Sequence, residues 1–262
     1  MPQFAANITF LFNELPFLDR FAAAAVAGFR GVEFHYPYDQ DPDAIRARLN
    51  EHRLIPVLMN IRAGDHKAGE WGFAGVPGRE ETFQYCVTEA IEYAGKIGAM
   101  QLNCLAGVRG IGNDGIDCAP TLIDNLRYAA RVAAEAKITI NLEPLNTIDV
   151  PRYLVASSDY ALYVIDEVGE PNLKLQYDWY HMRMMGEDLV ATTRRLLPHI
   201  GHIQFADAPG RHEPGTGEID FAALFALVDK IGYEGWVSAE YRPSMETSKT
   251  LGWLPKGQRY GY

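Results

Sequence analysis

The chain has 262 residues, of which 48% are hydrophobic, and its formal net charge is −10. Because no linker rich in proline, serine or glycine divides it, this length predicts one large α/β domain. The acidic balance, with a pI near 5.2, disfavours binding to nucleic acid or to an anionic membrane. Three cysteines are too few for a disulfide framework, and the N-terminus lacks the pattern of a signal peptide. We therefore expect a cytoplasmic protein without nucleic-acid or membrane partners; a homo-oligomer stays open.

Extended apolar segments alternate with amphipathic helical segments along the whole chain, and Gly, Pro or Asp marks most of the joints. The predicted strands cover residues 3–8, 32–35, 55–60, 101–105, 137–143, 173–178, 202–205 and 236–240. The predicted helices cover residues 17–27, 42–51, 80–97, 120–136, 157–167, 188–197 and 221–231, with a weaker one after Pro243. Eight βα units predict a single-domain (β/α)8 TIM barrel over residues 1–262. No G-x-G-x-x-G motif follows the first strand, so no nucleotide cofactor is expected.

Four polar residues stand at or near the C-terminal ends of the last four predicted strands: Glu143, Asp178, Gln204 and Glu240. Side chains on a strand alternate between two faces, and each of the four lies on the more polar face of its strand. Functional residues of a TIM barrel come from this end, so the four are predicted to meet in one interior. Three carboxylates and one amide oxygen favour Mg2+ or Mn2+ and predict one divalent-metal site. Glu143 and Glu240 are also suited to act as acid and base, because the remaining negative charge raises the proton affinity of a carboxylate.

A long segment without predicted secondary structure covers residues 61–79 and contains the sequence GDHKAGEWG. Loops longer than about 12–15 residues are often functional, which predicts a lid over the barrel mouth. His66, Lys67 and Glu70 are its candidates for contact with substrate, and Trp71 is a candidate for excluding water. Helix capping by Asp65 is the alternative interpretation of the segment.

Because the chain carries a net charge of −10, a small anionic substrate needs a basic side chain at its binding site. Arg211, after the seventh predicted strand, is the leading candidate because a guanidinium group binds a carboxylate through two parallel hydrogen bonds. An ordinary loop ion pair is the alternative for this residue. Asp207 competes with Gln204 as a ligand, but it has the opposite strand parity. Cys104 has no basic neighbour in the sequence, so we expect its thiol to pack rather than react.

Seven segments carry a distinctive pattern: PFLDRFAAAAVAGFRGVEFHYPYD (16–39), AGEWGFAGVPGRE (68–80), DNLRYAA (124–130), LEPLN (142–146), LQYDWYHMRMMGEDL (175–189), HIQFADAPGRHEPGTGEI (202–219) and GWVSAEYRP (235–243). Together they resemble the hydroxypyruvate isomerase family over nearly the whole chain. That family is one of the xylose isomerase-like barrels, which also include ketose 3-epimerases and endonuclease IV. The most specific motifs are D-x-x-H at 178–181 and H-E-P-G-T-G-E-I at 212–219. The related 2-oxo-tetronate isomerases share most of them.

The resemblance implies a reaction and assigns roles to residues. Glu143 and Glu240 are implied to transfer protons, and both are implied to bind the metal together with Asp178 and Gln204. His181 resembles the histidine that contacts substrate in related barrels. The implied reaction interconverts hydroxypyruvate and tartronate semialdehyde through an enediolate, with a metal-assisted hydride shift as the alternative. Gln204 departs from the histidine that 3-epimerases usually carry, which argues against a simple transfer of epimerase activity.

Three functions therefore stand beside one another at this stage. The preferred one is an isomerase acting on a small 2-oxo acid, with hydroxypyruvate ahead of 2-oxo-tetronate as substrate. The second is a nuclease related to endonuclease IV, which is disfavoured because such zinc enzymes need more histidine ligands and a basic groove. The third is a barrel that binds a metal or a sugar acid without catalysis. Fold analogy alone does not choose among them.

Overall fold

The computed structural model of the protein describes residues 1–110 and 115–255. Eight parallel strands close into a barrel in the order β1 to β8, with β8 pairing to β1. The strands are β1 Gln3–Asn7, β2 Gly31–Phe34, β3 Ile55–Asn60, β4 Gln101–Cys104, β5 Thr139–Leu142, β6 Leu173–Asp178, β7 Ile200–Phe205 and β8 Trp236–Ala239. The predicted single-domain TIM barrel is confirmed.

Helices α1 to α8 lie between consecutive strands, and α9 follows β8. They are α1 Arg20–Val26, α2 Pro42–His52, α3 Glu80–Ile97, α4 Ala119–Glu135, α5 Ser158–Val168, α6 Trp179–Met184, α7 Leu189–Leu196, α8 Phe221–Lys230 and α9 Thr247–Thr250. Short 3-10 turns precede α1 and follow β3, α7 and α9. In the described part of the chain, no helix has both the length and the apolar composition needed to cross a membrane.

Two elements differ from the sequence prediction. The strand predicted over 137–143 begins only at Thr139, because Lys137 adopts a left-handed backbone with φ 58° that an extended strand does not allow. Helix α6 was not predicted. It begins directly after β6, where the side chain of Asp178 accepts a hydrogen bond from the backbone N–H of Tyr180 and so caps the new helix.

The main apolar core lies between the barrel and its helices, where Phe4, Phe21, Phe34 and Phe205 are buried. A smaller apolar cluster fills the barrel towards the N-terminal ends of the strands. There, a Cβ atom added to Gly31 would lie 2.7 Å from both Trp236 and Val57, so glycine is needed at this close approach. The other end of the barrel interior is polar, and it carries the candidate site.

Candidate active site

A cavity of about 340 Å3 opens at the C-terminal ends of the strands. Six of the residues singled out in the sequence line it: His66, Trp71, Glu143, His181, Arg211 and Glu240. Glu143 directly follows β5 and Glu240 directly follows β8, so the two carboxylates reach the cavity from well-separated strands. The barrel therefore gathers residues that lie up to 174 positions apart in the sequence.

Asp178 and Gln204 are fully buried beside this cavity. The Oδ1 atom of Asp178 caps α6 through a 2.7 Å hydrogen bond from the backbone N–H of Tyr180. Its Oδ2 atom has no hydrogen-bond partner among the described residues. Burial raises the pKa of the Asp178 carboxyl to about 7, although the charge of Arg211 opposes the shift.

The residues present fit a divalent cation. One potential ligand atom each from Glu143, Asp178 and His181 lies within 4.8 Å of the other two. The unpartnered Oδ2 atom of Asp178 is an oxygen that such an ion would satisfy. Two neighbouring carboxylates can be buried in the ionised form only where positive charge balances them. Hard cations such as Mg2+ prefer oxygen ligands, so they suit this position.

His181 is better suited to donate a hydrogen bond than to bind the ion. Its Nδ1 atom faces the backbone N–H of Asn146 at 3.2 Å and the side-chain Nδ2 of the same residue at 2.7 Å. The Oδ1 atom of Asn146 already accepts from the N–H groups of Ile148 and Asp149, which fixes the orientation of the amide. Nδ1 is therefore an acceptor, and the ring proton lies on Nε2. Burial and the charge of Arg211 hold the pKa of His181 well below its ordinary value, so the ring is neutral.

Glu240 lies among positive and hydrogen-bonding groups. The NH2 group of Arg211 donates to its Oε1 atom over 2.6 Å, and the Nε2 atom of His35 lies 3.5 Å from the same oxygen. Burial alone would raise the pKa of the Glu240 carboxyl. His35, Arg211 and His202 outweigh this effect, and together they lower the pKa. Glu240 is therefore ionised at neutral pH.

Glu143 has the opposite environment. Burial raises its pKa well above the ordinary value, and the charges of Glu240 and Asp178 add to the shift. The side-chain amide of Asn103 donates to its Oε2 atom over 2.5 Å and only partly offsets these effects. Two glutamates of the same cavity thus have pKa values shifted in opposite directions, the arrangement that acid–base catalysis uses.

Gln204 belongs to a hydrogen-bond network inside the barrel. Its Nε2 atom donates to Glu33 over 2.7 Å and also to Glu240, while its Oε1 atom accepts from Gln176 over 2.6 Å. Glu33 in turn lies 2.6 Å from the Nε2 atom of His202. Sequence analysis missed Glu33, His35 and His202 as site residues. One signal was present, because Glu33 and His35 share a strand phase opposite to Val32 and Phe34.

Asp207, which competed with Gln204 as a ligand, has a different role. Its two carboxylate oxygens accept hydrogen bonds from five backbone N–H groups, those of Ala208, Gly215, Thr216, Gly217 and Ile219. The carboxylate therefore holds together the loop that carries Arg211. Cys104 is buried as expected, and burial raises the pKa of its thiol to about 12, which leaves it unreactive.

The segment predicted to form a lid, residues 61–79, contributes two aromatic rings to the cavity wall. The rings of His66 and Trp71 have centroids 4.2 Å apart and lie 31° from parallel. Lys67 and Glu70 lie outside the cavity wall: Lys67 is exposed, and Glu70 forms an ion pair of 2.9 Å with Arg79. Glu70 also accepts a hydrogen bond from the backbone N–H of Asp65, which lowers its pKa.

The alternative interpretation of this segment, helix capping by Asp65, is confirmed. The side chain of Asp65 accepts a hydrogen bond from the backbone N–H of Lys67 over 2.8 Å, at the start of the short 3-10 turn His66–Ala68. The cap and the cavity contacts are compatible, because the capped turn fixes the backbone that presents His66 to the cavity.

Residues 21–257 match the family model of the xylose isomerase-like TIM barrel. The chain belongs to this family. It is 44% identical over 254 residues to the 2-oxo-tetronate isomerase of Cupriavidus necator, with 97% of this chain and 98% of the relative covered. Identity and coverage are the same for the hydroxypyruvate isomerase of Escherichia coli (strain K12). A crystal structure named as an AP endonuclease of family 2 from Brucella melitensis superposes with a TM-score of 0.93 at 41% identity, covering 97% of this chain and 98% of the other.

Proposed function

We propose that this protein interconverts hydroxypyruvate and tartronate semialdehyde by proton transfer through an enediolate. The observation that carries the proposal is the pair of cavity glutamates whose pKa values shift in opposite directions, with Glu240 ionised and Glu143 protonated. A 1,2-isomerisation needs a base to remove a proton from one carbon and an acid to return one to the next. The similarity to an enzyme named hydroxypyruvate isomerase agrees with this chemistry.

Glu240 acts as the base in the direction that starts from hydroxypyruvate. It removes a proton from C3, and the electron pair left behind forms the C2–C3 double bond while the keto oxygen on C2 gains negative charge. The neutral ring of His181 donates its Nε2–H hydrogen bond to that oxygen. Donors aimed at developing charge are among the larger contributions to catalysis.

Glu143 completes the reaction. It gives its proton to C2, while the proton of the C3 hydroxyl passes to the oxygen on C2, and C3 becomes the aldehyde carbon. One hydrogen has then moved between carbons and one between oxygens, so the composition is unchanged. The two glutamates exchange protonation states, which lets the reverse reaction use the same groups.

A divalent ion, Mg2+ or Mn2+, is the cofactor that this donor set favours. Asp178 and Glu240 would hold it with their carboxylates and Glu143 with the carbonyl oxygen of its protonated carboxyl group, and Gln204, whose oxygen contacts Gln176 here, would be the fourth ligand. When bound, such an ion supplies positive charge that stabilises the enediolate. The tautomer of His181 supports its role as a donor to substrate rather than as a ligand.

The lid segment has a supporting role. Its stacked rings of His66 and Trp71 line the same cavity as the two glutamates, so they shield the enediolate from water. The anchoring of Glu70 to Arg79 and to Asp65 supports a well-defined lid conformation. Lys67 stays a candidate only for the approach of an anionic substrate, because its side chain is exposed.

The second candidate substrate is 2-oxo-tetronate, which the equal identity to 2-oxo-tetronate isomerase favours. The same proton transfers would apply, because this acid also carries a keto group at C2 and a hydroxyl at C3. A nuclease is disfavoured even though one solved relative is named as an AP endonuclease. The proposed ion site has oxygen ligands rather than the histidines that such zinc enzymes need, and the chain carries a net charge of −10, whereas a DNA site needs a basic groove.

Proton NMR of metal-reconstituted protein with each of the two acids tests the proposal. We expect the parent protein to convert at least one of them, and Glu143→Gln and Glu240→Gln to lose at least about 100-fold in kcat, since general acid–base groups contribute about 100- to 10,000-fold. Two variants with unchanged rates would refute the assigned roles. Protein that binds metal but turns over neither acid would instead indicate a binding barrel. In D2O, proton transfer incorporates deuterium into the product, whereas a hydride shift leaves the carbon-bound hydrogen unlabelled.

A further inference from the structure

We propose that Arg242 binds the carboxylate of the substrate, while the neighbouring Arg211 stays in its ion pair with Glu240. This inference rests on the proposed function, because it assumes that the substrate is a 2-oxo acid. Among the described residues, Arg211 and Arg242 are the arginines that line the cavity, and no lysine does so.

Arg211 is already engaged by the catalytic carboxylates. Its NH2 group lies 2.6 Å from Glu240 and 4.0 Å from Asp178, and its guanidinium carbon lies 5.1 Å from the ring centroids of both Phe10 and Tyr180. Moving this group onto a substrate carboxylate would break a buried ion pair and leave Glu240 less compensated, which is costly.

The positive charge of Arg211 is already shared, so a 2-oxo acid that enters the cavity needs a second cationic side chain. Both Glu240 and Asp178 lie within 4.0 Å of the guanidinium group of Arg211. A 2-oxo acid brings one further negative charge, and its enediolate brings more. Moving an anion from water into this largely buried cavity costs desolvation free energy, and a second positive charge is needed to offset it.

Arg242 is placed to supply that charge. It lies two residues beyond Glu240, and its backbone N–H donates to the carbonyl of Arg211 over 2.7 Å. Its own carbonyl oxygen accepts a hydrogen bond from the Nδ1 atom of His212 over 2.8 Å. These bonds fix the backbone of Arg242 to the loop that carries Arg211, while its exposed side chain lines the cavity. No ion pair within residues 1–110 and 115–255 includes its guanidinium group.

The other basic groups of the wall are less suited to this task. His66 directs its Nδ1 atom to the carbonyl of Glu70 at 2.9 Å, and His35 lies 3.5 Å from Glu240. The Nε atom of Arg211 is buried and has no hydrogen-bond partner in the described ranges, so Arg211 keeps one donor for the same carboxylate. The anion subsite then combines one donor of Arg211 with the planar group of Arg242, which binds carboxylates through paired hydrogen bonds.

Arg242→Gln and Arg242→Lys test the inference in metal-reconstituted protein, with Arg48→Gln on the exposed side of α2 as the matched control. We expect Arg242→Gln to raise KM for hydroxypyruvate by about 10- to 100-fold with little change in kcat, because hydrogen bonds to charged groups contribute on this scale. Arg242→Lys should recover part of the loss. Dihydroxyacetone carries a hydroxymethyl group in place of the carboxylate. Whether it reacts or only competes, its apparent affinity should change by less than about 2-fold.

A binding measurement separates this inference from the proposed function. Calorimetric titration with pyruvate, which has the carboxylate and the keto group but no hydroxyl to isomerise, should show the same loss of affinity in Arg242→Gln. The inference is overturned if the variant binds pyruvate as well as the parent does, if the parent does not bind pyruvate, or if dihydroxyacetone suffers equally. If the parent binds pyruvate through Arg242 but converts neither 2-oxo acid, the proposed reaction fails while the anion subsite stands.

Discussion

The side-chain amide of Gln204 donates a 2.7 Å hydrogen bond to Glu33, a carboxylate fully buried inside the barrel. The same amide nitrogen also donates to Glu240, the proposed base, so Gln204 joins Glu240 to a second acidic group that sequence analysis did not single out. Glu33 is held from the other side by His202 at 2.6 Å and by the amide of Asn7 at 2.9 Å. The orientation of Gln204 therefore depends on residues from β1, β2 and β7.

Glu33→Gln should destabilise the protein and disturb the site together. The amide keeps the size of the side chain but removes the charge that His202 and Gln204 face, and breaking a buried pair costs about 3–5 kcal/mol. We expect urea unfolding to show a loss of roughly 3 kcal/mol. Glu51→Gln, in an exposed pair with Arg48, should change the free energy of unfolding by less than about 1 kcal/mol. Equal stability of the parent and Glu33→Gln would contradict this account of the network.

Asn146 should act as a positioning residue for His181. Asn146→Asp keeps the shape but replaces the Nδ2–H donor by an acceptor, which favours a proton on Nδ1 of the ring and removes it from Nε2. Losses of about 10- to 100-fold are typical when a group that orients a site residue is changed. We expect such a fall in kcat, with Asn146→Ala less severe because the backbone N–H of residue 146 still donates to the ring. Nitrogen-15 NMR of the histidine rings reports the tautomer directly, and an Nδ1–H tautomer in the parent would contradict the prediction.

Metal binding should release protons at mildly acidic pH. The pKa of Asp178 is raised to about 7, so at pH 6 this carboxyl holds a proton that a cation must displace. Calorimetry with Mn2+ in two buffers of different ionisation enthalpy measures the protons released. The apparent affinity should rise with pH, and Asp178→Asn should release fewer protons. A binding enthalpy that does not depend on the buffer would argue against the raised pKa of Asp178.

The same shifts predict how the metal-free protein responds to acid. A carboxyl whose pKa is higher in the folded state binds protons more tightly there, so its contribution to stability increases as pH falls from about 7 towards the ordinary carboxyl range. Asp178 and Glu143 act in this direction, while Glu240, whose pKa is lowered, acts in the opposite one. Urea unfolding at pH 5 and pH 8 should therefore show a smaller gain at pH 5 for Asp178→Asn than for the parent. An unchanged difference would show that Asp178 is ionised in both conditions.

Trp71 should matter through its ring rather than through its indole N–H. Trp71→Phe keeps an aromatic face for His66 and is expected to retain most activity, whereas Trp71→Ala opens the wall of the cavity to water. An aromatic pair contributes about 0.5–1.5 kcal/mol beyond its burial, so Trp71→Ala should lower kcat/KM by at least about 3-fold relative to Trp71→Phe. Steady-state kinetics of both variants checks this. Equal activity of the two variants would show that the ring of Trp71 is not needed to close the cavity.

The sequence by itself determined the barrel and the place of the site. Alternation with period two predicted the strands, and the polar residues at the ends of the last four strands predicted one site made of Glu143, Asp178, Gln204 and Glu240. The reason is local: strand phase and chain order decide which side chains enter a closed barrel and at which end. The boundaries of β5 and the presence of α6 depended on a left-handed Lys137 and on a cap from Asp178. Neither has a distinctive signature in the sequence.

Only the tertiary structure decided which partner each of these side chains meets. Glu33 and His202 are 169 positions apart, and strand phase cannot state that they touch. The same holds for the pairing of Asn146 with His181, which sets the tautomer, and for the pairing of Arg211 with Glu240, on which the role proposed for Arg242 depends. Hydrogen bonding and charge compensation act over a few ångströms in a low-dielectric interior, so they follow from the closed barrel rather than from the order of residues along the chain.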